Sequence, residues 1–99
     1  MKIDKRSYPK HAELLRKLGP GWKLQRIDGE VCVYRDLGNG YDIGISEVGS
    51  ASNEVTIYVW DISGGDNYTA TIVHIEREVH RSRIKSFCEE LLERYGKSW

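Results

Sequence analysis

The sequence predicts an α+β domain in two layers: a helix, a five-stranded antiparallel meander sheet and a second helix, with both helices on one face of the sheet. Three observations carry that expectation. Apolar residues recur at helical spacing near both ends of the chain, they alternate with period two in between, and short Gly- and Asn-containing turns punctuate the alternating part. The 99 residues make a single domain, 1–99. A content of 39% hydrophobic and 30% charged residues is that of an ordinary globule rather than a disordered segment.

The first helix is punctuated at both ends. Ser7 stands where an N-cap belongs, Pro9 falls in the first turn, and Gly19-Pro20 closes the segment. Tyr8, Ala12, Leu15 and Leu18, with His11 and Leu14 beside them, form its apolar stripe. A strand over 22–27 meets a second over 30–37 through Asp28-Gly29, a strong two-residue hairpin signal. The next turn offers two registers. A two-residue Asn39-Gly40 loop would set Val31 and Val33 on the face opposite Ile43 and Ile45. A three-residue loop, Gly38-Asn39-Gly40, pairs Val33 with Ile45 and Leu37 with Tyr41, which aligns every apolar residue. The three-residue loop is therefore expected, with Gly40 left-handed. It also sets Tyr34 opposite Gly44, where the tyrosine ring is expected to cover bare backbone.

The polar connection "GSASN" leads to a strand over 54–62, and "SGGDN" turns the chain into a fifth strand over 68–76. The last helix carries Ile84, Phe87, Cys88, Leu91, Leu92 and Tyr95 on one stripe, with Gly96 at its stop. Both helices are expected to cover the face bearing Val31, Val33, Ile43, Ile45, Val55, Ile57 and Val59. The opposite face then carries Lys23, Gln25, Cys32, Tyr34, Gly44, Ser46, Thr56, Tyr58 and Trp60. This alternation places Cys32 and Cys88 on opposite sides of the sheet, so two free thiols are expected rather than a disulfide. With no apolar segment in "MKIDKRSYPK" and no membrane-length apolar run, the expected location is cytoplasmic.

Charge is uneven along a chain whose net charge is zero. Residues 1–27 hold Lys2, Lys5, Arg6, Lys10, Arg16, Lys17, Lys23 and Arg26 against Asp4 and Glu13. Residues 28–66 hold Asp28, Glu30, Asp36, Asp42, Glu47, Glu54, Asp61 and Asp66 against Arg35. Such a dipolar chain steers partners unless the two segments face each other and neutralise.

Two clusters stand out as candidate sites. The first is the outer sheet face, where Tyr34, Tyr58 and Trp60 come together. Aromatic residues suit a pleated surface and add about 0.2–1 kcal/mol per cross-strand pair without a ligand. They are also the residues most enriched at binding hot spots. Asp36 and Asp42 lie in the adjoining acidic hairpin and are expected to meet a basic partner first. The second cluster is Arg77, Arg81, Arg83 and Lys85, which crowd the start of the last helix against its macrodipole. A bound anion would compensate there, as would carboxylates of the protein itself, with Glu76 and Glu78 the nearest in sequence.

Catalytic and metal signatures are absent. The histidines of "HIEREVH" are six residues apart and match no zinc pattern, Cys88 falls on a helix core stripe, and the glycines serve turns. No metal and no cofactor is expected. The order of helix, strands and helix, with a basic start to the last helix, loosely resembles the double-stranded RNA-binding domain. Five strands, zero net charge and an acidic central sheet speak against that reading. The expected function is a non-enzymatic protein-binding module of inhibitor or immunity type, acting on a larger macromolecule through its aromatic sheet face and acidic hairpins. Its expected partner is a protein with a basic surface, or a second copy of the chain, and not a membrane. The alternative is an RNA- or DNA-binding domain using Arg77, Arg81, Arg83 and Lys85.

Overall fold

A computed structural model describes residues 3–62 and 70–96. After a 3-10 turn at Lys5–Ser7 come helix α1 (Pro9–Leu18) and strands β1 (Lys23–Ile27), β2 (Glu30–Asp36), β3 (Tyr41–Ser46), β4 (Glu54–Asp61) and β5 (Thr71–His80). A second 3-10 turn, Arg81–Arg83, leads into helix α2 (Ile84–Tyr95). The strands form one antiparallel sheet in sequence order, a meander in which β1 and β5 are the edge strands among the described residues. This is the two-layer α+β fold, with both helices against one sheet face.

Turn chemistry and apolar alternation fix the register. Ile27 pairs with Glu30 across Asp28-Gly29, and both turn residues have positive φ, the geometry that matches strand twist in two-residue hairpins. Val33 pairs with Ile45 and Tyr34 with Gly44, as the three-residue loop requires, and Gly40 is left-handed with φ 96°. Asn39 locks that loop. Its Oδ1 accepts from the Tyr41 amide at 3.2 Å, and its Nδ2 donates to the Tyr95 carbonyl at the end of α2 at 2.6 Å.

The core lies between the inner sheet face and the helices: Val33, Ile43, Ile45, Val55, Ile57 and Val59 meet Leu14, Ile84, Cys88 and Leu91. His11 is buried on the core side of α1, where its Nε2 donates to the Val31 carbonyl at 3.0 Å and satisfies both groups away from water. Beside β1, Arg35 stacks over the Trp22 ring at 5.8 Å and donates to the Pro20 carbonyl at 3.2 Å.

Four local expectations are corrected. Ser7 does not cap α1: Tyr8 occupies the N-cap position without a side-chain bond, and it is Asp4 that caps the preceding 3-10 turn. The fifth strand runs to His80 rather than ending at 76, because two bulges let β5 follow β4 past its charged residues. The bulges leave two β5 residues opposite one β4 residue between Val59 and Trp60 and again between Val55 and Ile57. The second is absorbed by Glu78 at φ 58°. Arg81 and Arg83 precede α2 in the 3-10 turn, whose amide at Ser82 is capped by His80 Nδ1 at 3.2 Å, so these cations lie outside the helix proper. The fourth correction concerns Gly44 and is taken with the outer face. The "SGGDN" turn and Asp66 lie outside the described residues.

Candidate functional site

The outer face is built by register. One row across the sheet reads Lys23, Tyr34, Gly44, Tyr58, Ile75, and the next reads Asp36, Asp42, Trp60, Ile72. Tyr58 and Trp60, two apart on β4, stack with ring centroids 5.4 Å apart and planes at 11°. The ring that covers Gly44 is that of Trp60 and not, as expected, that of Tyr34. A Cβ on Gly44 would lie 2.5 Å from Trp60 Cζ3 and 2.6 Å from Cη2. Tyr34 is turned elsewhere: its ring lies 5.6 Å from Lys23 Nζ and its hydroxyl donates to Asp42 Oδ2 at 2.6 Å.

This face is less open than alternation alone implies. Cys32, Asp42, Ser46 and Thr56 are all buried on it. Ile27 Cδ1 comes within 3.7 Å of the Gly44 Cβ position although β2 lies between their strands, and alternate strands of a flat sheet stand nearly ~10 Å apart. The sheet therefore bends toward its outer side, and the aromatic rings roof a small second core.

Asp42 lies inside that core at 6% exposure, with Oδ2 bonded to Tyr34 and Oδ1 without a hydrogen-bond partner. Burial raises its carboxyl above the ordinary range. The bond from Tyr34 opposes that shift, and the charge of Asp36, directly opposite on β2, adds to it. Burial together with the two carboxylates also holds the Tyr34 hydroxyl far above its ordinary value. Asp42 is thus enclosed rather than presented at the surface, whereas Asp36 is exposed; the Asp36 Oδ1 also accepts from the Gly38 amide at 2.8 Å, shaping the turn.

The feature that sequence reasoning missed lies on β5. Ile72, Val73 and Ile75 are 51%, 42% and 38% exposed. They are the large hydrophobic residues most open to water among the described residues, and they adjoin the Tyr58–Trp60 stack through the Tyr58–Ile75 and Trp60–Ile72 pairs. The alternating hydrophobicity of "TATIVHI" was a signal for a strand. Only the register to β4 shows that this strand ends the sheet and that its apolar residues project outward.

The cationic cluster is not assembled as a unit. Arg81 approaches Glu13 of α1 at 3.6 Å, and Glu13 also pairs with Lys17 at 3.4 Å. Its carboxylate partner is thus internal, and comes from α1 rather than from Glu76 or Glu78. Arg81 also lines an open cleft with Lys10, Lys17, Glu54 and an apolar floor of Leu14, Val55 and Ile84. Arg83 and Lys85 are exposed and form no ion pair among the described residues, and Arg77 stands apart on β5. Among the described residues, the ion pairs Arg6–Asp4, Lys17–Glu13, His74–Glu76 and Arg81–Glu13 do not join the basic segment 1–27 to the acidic segment 28–66.

Both thiols are free and buried. Burial pushes Cys88 up to about 12, with Glu89 adding, and pushes Cys32 up to about 11, with Glu30 and Asp28 adding. Neither has the lowered pKa of a nucleophile. Among the described residues no group of three or more His, Cys, Asp or Glu side chains is placed to hold a metal, and no helix is long and apolar enough to cross a membrane. No protein-family model, no curated protein and no solved structure matches the chain.

Proposed function

We propose that this chain is a non-enzymatic protein-binding module that docks a partner protein on the outer face of β4 and β5. The observation that carries the reading is the placement of Ile72, Val73 and Ile75 in water beside the stacked Tyr58 and Trp60. Full burial of an aliphatic side chain is worth about 1.5–3 kcal/mol, so leaving three together exposed on one strand is costly unless something covers them. The stack supplies a flat, rigid, low-entropy anchor of the kind found at hot spots. The packing of the Trp60 ring over Gly44 holds that anchor in place before a partner arrives, which reduces the ordering cost of association. Exposed Asp36 on the neighbouring hairpin favours a partner with a basic rim. A rigid, preformed platform suits a protein of inhibitor or immunity type, which acts by covering a surface of a larger macromolecule.

The test compares the full wild-type chain with Ile72→Asp, a change at an exposed position that leaves the core intact. Each is cross-linked in lysate of the producing cells, with and without nuclease. The expected outcome is a saturable protein complex that survives nuclease and is lost in Ile72→Asp at unchanged thermal stability. Complexes that vanish with nuclease, or that ignore the substitution, overturn the reading.

A second reading, an RNA- or DNA-binding domain, is favoured by the meeting of Arg81 with Lys10 and Lys17 at one cleft and by Arg83 and Lys85, which form no ion pair among the described residues. Three phosphate contacts would give a slope of log affinity against log salt near about −2 to −3. Loss of that binding in Arg81→Glu would place the function there instead of on the sheet.

A further inference from the structure

We propose that the free edge of β5 pairs antiparallel with β5 of a second copy of this chain, with the two-fold axis passing at Ile75. The proposal concerns the strand edge and its backbone, and it stands whether or not a foreign protein docks on the outer face.

β5 is ten residues long and, among the described residues, pairs only with β4, so no described strand lies along the other side of its backbone. Such an edge is a template for another strand. Native edges are blunted by bulges and charges, and β5 has both: the extra residues opposite β4 fall at Val73 and within Arg77–Glu78. Between them His74, Ile75 and Glu76 pair regularly with Val59, Tyr58 and Ile57. This regular stretch is where a second strand can be added.

The regular stretch 74–76 is symmetric only about Ile75, and charge permits a second copy in that register. A two-fold axis perpendicular to the sheet keeps every residue on its own face, so the paired positions of the two copies must sum to an even number. With the axis at Ile75, Ile75 meets Ile75, each His74 meets the Glu76 of the other copy, and Val73 meets Arg77. No like charges oppose each other. With the axis at Glu76 the two glutamates collide, and at Arg77 the arginines collide while Glu76 opposes Glu78. His74 Nε2 is buried within its own chain, 3.6 Å from its own Glu76 carboxylate, so the His74–Glu76 positions meet across the axis without like-charge repulsion rather than as a new ion pair. The exposed Ile75 gains an apolar neighbour, and the outer faces join in one row of Tyr58, Ile75, Ile75 and Tyr58. The short regular stretch makes a small interface, and small interfaces are weak, so the dimer is expected to populate above about 10 μM.

The experiment is sedimentation velocity of the full chain from about 5 to 500 μM, with Ile75→Lys, Ile75→Glu and their equimolar mixture. Position 75 is exposed, and circular dichroism confirms that each variant is folded. The wild type is expected to dimerise with concentration. Each variant alone should need at least about tenfold more protein, because like charges meet at the axis, and the mixture should recover wild-type association. Amide hydrogen exchange at high and low concentration should show protection gained at alternate residues between 73 and 77 and none along β1. A chain monomeric throughout, or a dimer indifferent to charge at position 75, overturns the proposal. So does protection that bypasses β5.

Discussion

Gly44→Ala is the sharpest test of how the aromatic face is held. Gly44 has no positive φ, so alanine fits its backbone, and replacing a mid-strand glycine ordinarily stabilises by about 0.5–1 kcal/mol. Here the new methyl would lie 2.5 and 2.6 Å from two carbons of the Trp60 indole. Carbon–carbon contacts settle near 3.5–4.0 Å, so the ring must retreat by about 1 Å, away from Gly44 and out of its stack with Tyr58. Overpacking of this kind costs about 1–3 kcal/mol. Set against the backbone gain, the central values leave a net loss of about 1.25 kcal/mol, or a melting point lower by roughly 5–10 °C for a domain of this size. Thermal and urea denaturation measure it, with near-ultraviolet circular dichroism reporting the stack. In a Trp60→Phe background the ring is too short to reach the methyl, and the same substitution should be neutral or slightly stabilising. The coupling between the two positions should therefore be at least about 1 kcal/mol. Additive effects, or a stabilised single variant, would refute the packing argument.

Two further outcomes are expected. Because the Asp42 carboxyl is raised in the folded chain, the native state binds more protons than the unfolded one between the unfolded value of about 3.9 and the folded value, so stability falls as pH rises through that window and stays lower above it. Asp42→Asn keeps an acceptor for Tyr34 and removes the charge; urea titrations should show its advantage over wild type growing from acid to neutral pH and reaching about 1 kcal/mol, and a constant or shrinking difference would contradict it. With thiols pushed up to about 11 at Cys32 and about 12 at Cys88, alkylation followed by mass spectrometry should be slow in the native protein and reach Cys32 first, whereas a Cys32–Cys88 bridge in unreduced protein would contradict the placement of both.

The fold was legible because its signals are local. Asp28-Gly29 and Gly38-Asn39-Gly40 dictate hairpin lengths, and alternation then decides which residues face inward, as the Val33–Ile45 and Tyr34–Gly44 pairs show. What stayed hidden depends on curvature and on contacts across long sequence separations. Period two assigns Asp42 to the outer face but carries no information on how far the sheet bends, so its burial beneath aromatic rings could not be read. The two residues that could cover Gly44, Tyr34 and Trp60, differ only in side-chain direction. Glu13 and Arg81 are 68 positions apart, and nothing in either segment announces the other. Alternation ends the fifth strand at 76 rather than at His80 because bulges break the pattern on which that reading relies.

The neighbour-to-neighbour order of the sheet also governs how the chain is made. Each of β1 to β4 finds its partner as the next hairpin leaves the ribosome, and loop closure is short at every step. The inner face they create is another matter, because Ile84, Cys88 and Leu91 of α2 cover it and are translated after all of these strands. Thirty positions separate Asp61 from Leu91. At ordinary elongation rates a four-stranded sheet with Val33, Ile43, Ile45, Ile57 and Val59 only partly sheltered by α1 persists for about 1.5–6 s. During that interval the nascent chain is an apolar platform awaiting its lid. Ribosome pausing within β5 would lengthen its vulnerability to chaperone capture or aggregation without altering the stability of the finished protein.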